Sequence, residues 1–240
     1  MNKNIFIAIV TIGGLFIIGC SGTEKEVSSK YINYKTKTYL RYPLSGESYI
    51  GWGGRTLEQN AHALFKDQRF ALDIVALKEG HTVLSAEDIK EDKYETYSGD
   101  VSKNESYYIF GREVLATARG VVVSTQNNVV DNTPGEYNQK QAAGNYVVID
   151  HGNGEFSMFG HLKQQSVVVQ AGEHVEYGDV LGLCGNSGNS SEAHLHYHLQ
   201  NTNEWHNGEG LPAQFNAYIA NGHLVEKGEP IRGQIIRPSL

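Results

Sequence analysis

From about Tyr39 onwards, apolar and polar residues alternate in short runs that are broken by Gly, Pro, Asn and Asp. A period of two is that of a half-buried β-strand, and the interrupting residues are turn formers. The runs YLRYPLSG and SYIGWGG open the pattern, and the apolar end of RFALDIVAL continues it. VLATARGVVVSTQ follows, then NYVVIDHGNGEFSMFGHLKQ, in which HGNG between two alternating arms predicts a hairpin. SVVVQAGEHVEYGDVLGLCG supplies two further strands joined by Gly-containing turns. Helical periodicity is scarce; a short helix is predicted over residues 212–219, ahead of a last strand near Ile231. Many short strands with little helix predict an all-β fold, an antiparallel β-sandwich or barrel-like core with long loops. Residues 107–200 form that core, residues 78–106 a polar, acidic surface excursion, and residues 201–240 a C-terminal extension.

The pattern carries its own candidate chemistry. In GNSGNSSEAHLHYHL, an extended backbone turns His194, His196 and His198 to one face and Leu195, Tyr197 and Leu199 to the other. A face of imidazoles after a Gly/Asn/Ser loop suits a metal or acid/base site better than a plain solvent-facing edge, where Thr, Lys or Glu is the usual choice. His161 ends the second arm of the predicted hairpin. Asp73 lies inside an apolar run, where a carboxylate is costly unless it is paired, hydrogen-bonded or metal-bound; an exposed alternate position on a half-buried strand is the competing reading. His206 and His223 sit in polar, turn-rich contexts and read as surface residues.

Composition changes the picture only in places. The chain has 240 residues, 40% hydrophobic and 20% charged, which is ordinary for a globular protein. Its net charge of −7 and the lack of any Lys/Arg cluster argue against nucleic acid as a partner. Residues 1–20 have a Lys near the start and an apolar run too short for an ordinary membrane span, so they read as an export signal. Cys20, preceded by Ile17, Ile18 and Gly19, is placed as in a bacterial lipobox, which predicts lipidation of its thiol and attachment to a membrane. Residues 21–38 are polar and without periodicity, a predicted tether ahead of a folded part spanning residues 39–240. The remaining cysteine, Cys184, then has no disulfide partner and reads as a small buried apolar residue.

Through GNYVVIDHGNGEFSMFGHL, VQAGEHVEYGDVLGLCGNSG and HLHYHL, the sequence resembles the lysostaphin-type zinc metallopeptidases, β-sandwich endopeptidases of bacterial cell walls. The resemblance runs from roughly Tyr39 to Leu199 and is densest after Val114. It implies that His196 binds Zn2+, that His194 acts beside the metal, and that His161 is a further catalytic histidine. The family's first motif is His-x-x-x-Asp, both residues binding zinc. Here Asp73 matches, but Arg69 stands where that His belongs, and a guanidinium has no lone pair to give a metal. His62 is the nearest replacement if residues 63–68 fold back, leaving Arg69 to orient an acid or substrate. The implied ligands are therefore His62, Asp73 and His196, with His198 behind them or against substrate and Asn60 and Asn145 as candidate hydrogen-bonding partners. The resemblance implies hydrolysis of peptide cross-links or stem peptides of peptidoglycan by an exported, lipid-anchored enzyme facing the wall or periplasm. Arg69 motivates a second reading, an inactive lipoprotein of the same fold that binds wall or regulates a separate hydrolase. The glycine-turn hairpin also resembles biotinyl and lipoyl carriers, but no Lys lies between Gln164 and Gln200 to be modified.

Overall fold

The computed structural model describes residues 28–78, 80, 85–91 and 94–239. The expected signal, Cys20 and the tether up to residue 27 lie outside the described residues. Among the described residues the strands are β1 (Ser48–Trp52), β2 (Leu72–Val75), β3 (Glu113–Leu115), β4 (Gly120–Gln126), β5 (Asn145–Asp150), β6 (Phe156–Leu162) and β7 (His174–Val175). They continue with β8 (Val180–Leu183), β9 (Leu195–Gln200), β10 (Gly210–Leu211), β11 (Phe215–Ala220), β12 (His223–Gly228) and β13 (Ile235–Pro238). Among the described residues helix is confined to α1 (Ala86–Lys90) and short 3₁₀ turns, so the expected all-β antiparallel class is the class observed.

The two layers are very unequal. Eleven strands form one sheet in the order β12-β11-β13-β1-β2-β9-β6-β5-β4-β7, with β10 attached to β9, and β3 pairs with β8 as a separate ribbon. Alternation along the strands sends Ile50, Leu72, Ile74, Leu195, Tyr197, Leu199, Phe159, Val147 and Ile149 into one core with Val114 and Leu181 of the ribbon. Each such side chain contributes about 1.5–3 kcal/mol when fully buried. The opposite face of the central strands carries Asp73, His196 and His198 beside buried apolar residues, Val75, Val148 and Met158. Register places Trp52 beside Asp73, Asp73 beside His196, and His196 beside Gly160 in one row across β1, β2, β9 and β6. A bulge between Ile50 and Trp52 turns Trp52 to the side of Asp73.

Three expectations about the frame need correction. Residues 31–38 are docked onto the sheet and are no free tether. Thr36 is buried, its hydroxyl donates to the Pro212 carbonyl at 2.6 Å, and the buried Glu155 carboxylate accepts from the Tyr34 hydroxyl at 2.8 Å and the backbone N–H groups of Lys37 and Thr38 at 2.7 and 2.8 Å. The helix expected over residues 212–219 is absent; Phe215–Ala220 is a strand, paired with β12 through Asn221 and Gly222, both at positive φ. Asn-Gly between two alternating runs is a strong hairpin signal that outweighs the weak helical spacing. The last strand starts at Ile235, beyond the expected Ile231.

The excursion over residues 78–106 is not wholly solvated. Thr96 Oγ1 donates to Glu192 at 3.2 Å, in the loop that precedes the histidine strand, and Asn104 Nδ2 to the Asn132 carbonyl at 2.8 Å, in the connection between β4 and β5.

Candidate metal centre

Asp73 is the hub of the polar face. Its Oδ2 is 2.8 Å from His62 Nε2 and its Oδ1 is 3.0 Å from His196 Nδ1 and 3.6 Å from His194 Nε2. One atom each from His62, Asp73 and His196 falls within 4.8 Å of the others, the arrangement that could hold a metal ion among the described residues. Two neutral imidazole nitrogens and one carboxylate oxygen are a zinc-type donor set that leaves a fourth position for water or substrate. Asp73 and His196 are brought together by the β2–β9 ladder. His62 is delivered by a loop.

That loop is built from backbone hydrogen bonds. Asn60, fully buried, caps the turn Ala61–Leu64 by accepting from the His62 N–H at 3.0 Å. Its Nδ2 donates to the carbonyls of Ala71 at 3.0 Å and Gly54 at 3.2 Å and lies 3.4 Å from that of Arg69. Arg69 faces neither an acid nor the cluster. Its guanidinium donates to the Ala63 carbonyl at 3.3 Å and the Ser28 carbonyl at 2.8 Å, so it braces the segment that carries His62. The expectation that Arg69 orients an acid is corrected accordingly.

His161 and His194 stand beside the cluster with ring centroids 4.7 Å apart. His161 Nδ1 is 2.8 Å from the Ser187 carbonyl, and His194 Nδ1 is 2.9 Å from the Glu192 carbonyl. A carbonyl only accepts, so both rings carry their hydrogen on Nδ1 and keep a lone pair on Nε2. His161 also has φ of 60°, a strained left-handed conformation for a residue with a side chain. The loop it depends on is tight: Gly144, at φ of 64°, passes so close to Ser187 that a Cβ there would lie 2.3 Å from the Ser187 carbonyl oxygen. Burial and the neighbouring His194 and His196 hold His161 well below the usual imidazole range. Burial alone would raise the Asp73 carboxyl, but His62, His194 and the hydrogen bond from His196 outweigh it and hold it well below its ordinary value. Burial would lower His62, and the Asp73 carboxylate more than offsets this and raises it.

His198 is buried behind His196, with Nδ1 at 2.9 Å from His196 Nε2, and touches no open groove. Asn145 is not near the cluster as a contact. Its side chain accepts from the Val129 N–H and donates to the Val129 and Leu162 carbonyls, fixing the backbone next to His161. Two residues were not anticipated. Gln200 continues the two-residue spacing from His198, a signal present in the sequence. Trp205, which packs on His196, His198 and Tyr146 at centroid distances of 5.9, 5.0 and 5.6 Å, follows in a loop where no periodicity marks it. His223 is exposed, as expected, and the exposed His206 pairs with Asp67 at 3.4 Å.

Comparison with known proteins bears on this geometry. Residues 107–208 match the model of peptidase family M23, a span that contains His161, His194 and His196 but not His62 or Asp73. Peptidoglycan DD-endopeptidase ShyA of Vibrio cholerae serotype O1 is 38% identical over 89 residues, 37% of this chain and 17% of that protein. The DD-carboxypeptidase/endopeptidase Mpg of Neisseria meningitidis serogroup B is 41% identical over 59 residues, 25% of this chain and 13% of the relative. The chain thus spans less than a fifth of the length of either. Among solved structures, a putative glycyl-glycine endopeptidase LytM of Ruminococcus gnavus aligns with a TM-score of 0.41 at 16% identity, covering 73% of this chain and 57% of that one.

Proposed function

From the match of residues 107–208 to peptidase family M23, we propose that the protein is a zinc-dependent endopeptidase acting on the peptides of bacterial peptidoglycan, exported and held at a membrane through Cys20. The observation that carries this is the meeting of His62, Asp73 and His196 within 4.8 Å beside His161 and His194. His62, Asp73 and His196 would hold the ion. Zinc in such a site supplies Lewis acidity toward a carbonyl and lowers the pKa of a coordinated water to about 7.

The chain's own groups supply the proton handling. With both Nδ1 atoms committed to carbonyls, Nε2 is the atom through which His161 and His194 exchange protons. One of them accepts a proton from the attacking water at Nε2, and the proton so gained is the one that passes on to the leaving amine, each step worth about 10²–10⁴-fold. Desolvation keeps His161 neutral, and so able to accept, at neutral pH. The fixed carbonyl partners cost no reorganisation when charge develops. Peptidoglycan as substrate is supported by the relative ShyA, a peptidoglycan DD-endopeptidase.

The test is zinc content and muropeptide release from purified peptidoglycan for wild type, His62→Ala and Arg69→Ala. Wild type is expected to hold one zinc and to cut, His62→Ala to lose both, and Arg69→Ala to retain the metal more weakly. A wild type that holds zinc but leaves the wall intact would turn the reading to a wall-binding or regulatory lipoprotein.

A further inference from the structure

At the other end of β6 from His161, roughly 17 Å along the strand, lies a cavity of about 600 Å³ that the proposed chemistry does not use. Four segments line it: those ahead of β1 and β4, and the turns that join β5 to β6 and β7 to β8. Hydrogen bonds tie these segments together. The Arg41 N–H donates to the Thr117 carbonyl at 2.7 Å, and the Gly178 N–H to the Ala116 carbonyl at 3.0 Å. His151 Nδ1 lies 2.8 Å from the Arg119 carbonyl, and Asn153 Nδ2 donates to Thr38 Oγ1 at 2.9 Å. The walls are therefore preformed, and the volume falls in the range of small-ligand sites, about 300–1,000 Å³.

Tyr39 and Tyr177 line the cavity and are 63% and 42% exposed. Tyr177 is fixed by Arg41, whose guanidinium stands 5.0 Å from the ring centroid and donates to the Ser239 carbonyl at 3.1 Å. Arg119 is exposed, and no acid or carbonyl engages its side chain among the described residues. Glu176, also exposed, supplies an acceptor on the same rim. Among the described residues no Leu, Ile, Val, Phe or Met lines the cavity, which argues against an apolar ligand. A metal fits no better, since both His151 ring nitrogens are engaged, Nε2 with Ser157 Oγ at 2.8 Å, and a single carboxylate remains. A small anion would meet Glu176 with only one uncommitted cation beside it. Aromatic faces edged by planar donors and acceptors suit a sugar, whose C–H face packs on a ring while its hydroxyl and amide groups form hydrogen bonds at the edge. We propose that this cavity is a saccharide site and that its occupant is the glycan strand of peptidoglycan, held by Tyr39, Tyr177 and Arg119. The choice of that glycan rests on the wall-hydrolase reading of the metal centre. Holding the sugar chain at one end of the sheet raises the local concentration of its peptides at the other.

The test is titration calorimetry of the purified chain in chelator, with soluble glycan strands stripped of their peptides as the probe and glucose oligomers as the comparison. Wild type is expected to bind the stripped glycan and to bind glucose oligomers at least about tenfold more weakly. Tyr39→Ala, Tyr177→Ala and Arg119→Ala are each expected to weaken glycan binding about tenfold, the size of one lost aromatic or charged contact. All three positions but Arg119 are judged against Leu224→Ala, which removes an equally exposed apolar side chain on β12 and is expected to leave binding unchanged. The saccharide site is overturned if wild type takes up no glycan, or if the three variants bind as wild type does. Glucose oligomers that bind as tightly as the stripped glycan overturn the assignment to the wall. The measurement needs no zinc: a wild type that binds glycan here but takes up no zinc when supplied with it overturns the metal reading and leaves the saccharide site standing.

Discussion

Replacing Asn60 by alanine tests whether the candidate centre is held by the strands alone or also by the loop that delivers His62. Asn60 is fully buried and makes three good hydrogen bonds, one from the His62 N–H and two to the carbonyls of Ala71 and Gly54. At about 1 kcal/mol net for each, Asn60→Ala should cost roughly 3 kcal/mol. That is survivable against a typical net stability of about 5–15 kcal/mol. At roughly 3 °C per kcal/mol for a chain of this size, Tm should fall by about 9 °C. Zinc affinity should suffer separately. If two residues around His62 must be re-ordered on binding, at about 1–2 kcal/mol each, the loss is on the order of a hundredfold.

The assay is thermal unfolding with and without chelator, together with zinc competition well below Tm. Asn216→Ala is the control. Asn216 is also buried and its Nδ2 donates to the Leu40 carbonyl at 3.1 Å, but it lies on β11, three strands from β2 in the sheet. It should lower Tm and leave zinc affinity alone, since distant sites act independently. A folded Asn60→Ala whose affinity stays within about threefold of wild type, no worse than the control, would refute the claim that this loop is a mechanical part of the centre.

Three further outcomes follow from the same geometry. In chelator, Tm plotted against pH should peak near about 6.5, the unfolded histidine value. Burial holds His151, His161, His196 and His198 below it, so the unfolded chain takes protons first as pH falls. His62, raised by Asp73 against its burial, and His206, raised by its bond to Asp67, keep protons above it, so stability is also lost as pH rises through their raised values; a Tm that only climbs through neutral pH contradicts these directions. Gly144→Ala should cost more than about 3 kcal/mol, because both its positive φ and the 2.3 Å approach to the Ser187 carbonyl are incompatible with a Cβ; an unchanged Tm would show that the loop can yield. Arg69→His in a His62→Ala background should not restore zinc binding, since Ala71 N–H bonds back to the Gln68 carbonyl at 2.8 Å and the chain turns there instead of running extended toward Asp73; recovery of one zinc per chain would refute this.

The parts of the fold and site legible in the sequence are those written by local alternation. The histidine face of β9, the hairpin of β5 and β6, and the two-sided character of β2 follow from the period of two in single segments. What alternation cannot carry is contact between distant segments. The docking of residues 31–38 depends on Glu155, whose carboxylate meets backbone N–H groups far away in sequence. Trp205 reaches His198 from a loop with no pattern. β11 was misread for another reason. Phe215, Tyr218 and Ile219 fit helical spacing over a few residues, while the decisive signal, Asn221-Gly222, lies after the run it governs.

The placement of Arg69 shows what a loop-borne candidate ligand requires. A ligand on a strand is held by the ladder: Asp73 and His196 pair across β2 and β9, and their separation is set by backbone hydrogen bonds made for other reasons. His62 has no such ladder. Its position needs donors and acceptors of its own, and these come from the segment that the resemblance reads as having lost a histidine. Arg69 donates to the Ala63 carbonyl, one residue beyond His62, and its own carbonyl faces Asn60, one of the side chains that caps and pins the turn. A planar guanidinium with several fixed donors can brace two carbonyls from one position, those of Ala63 and Ser28, where an imidazole with one donor could not. Arg69 and His62 are therefore complementary: the one supports the turn that brings the other to Asp73.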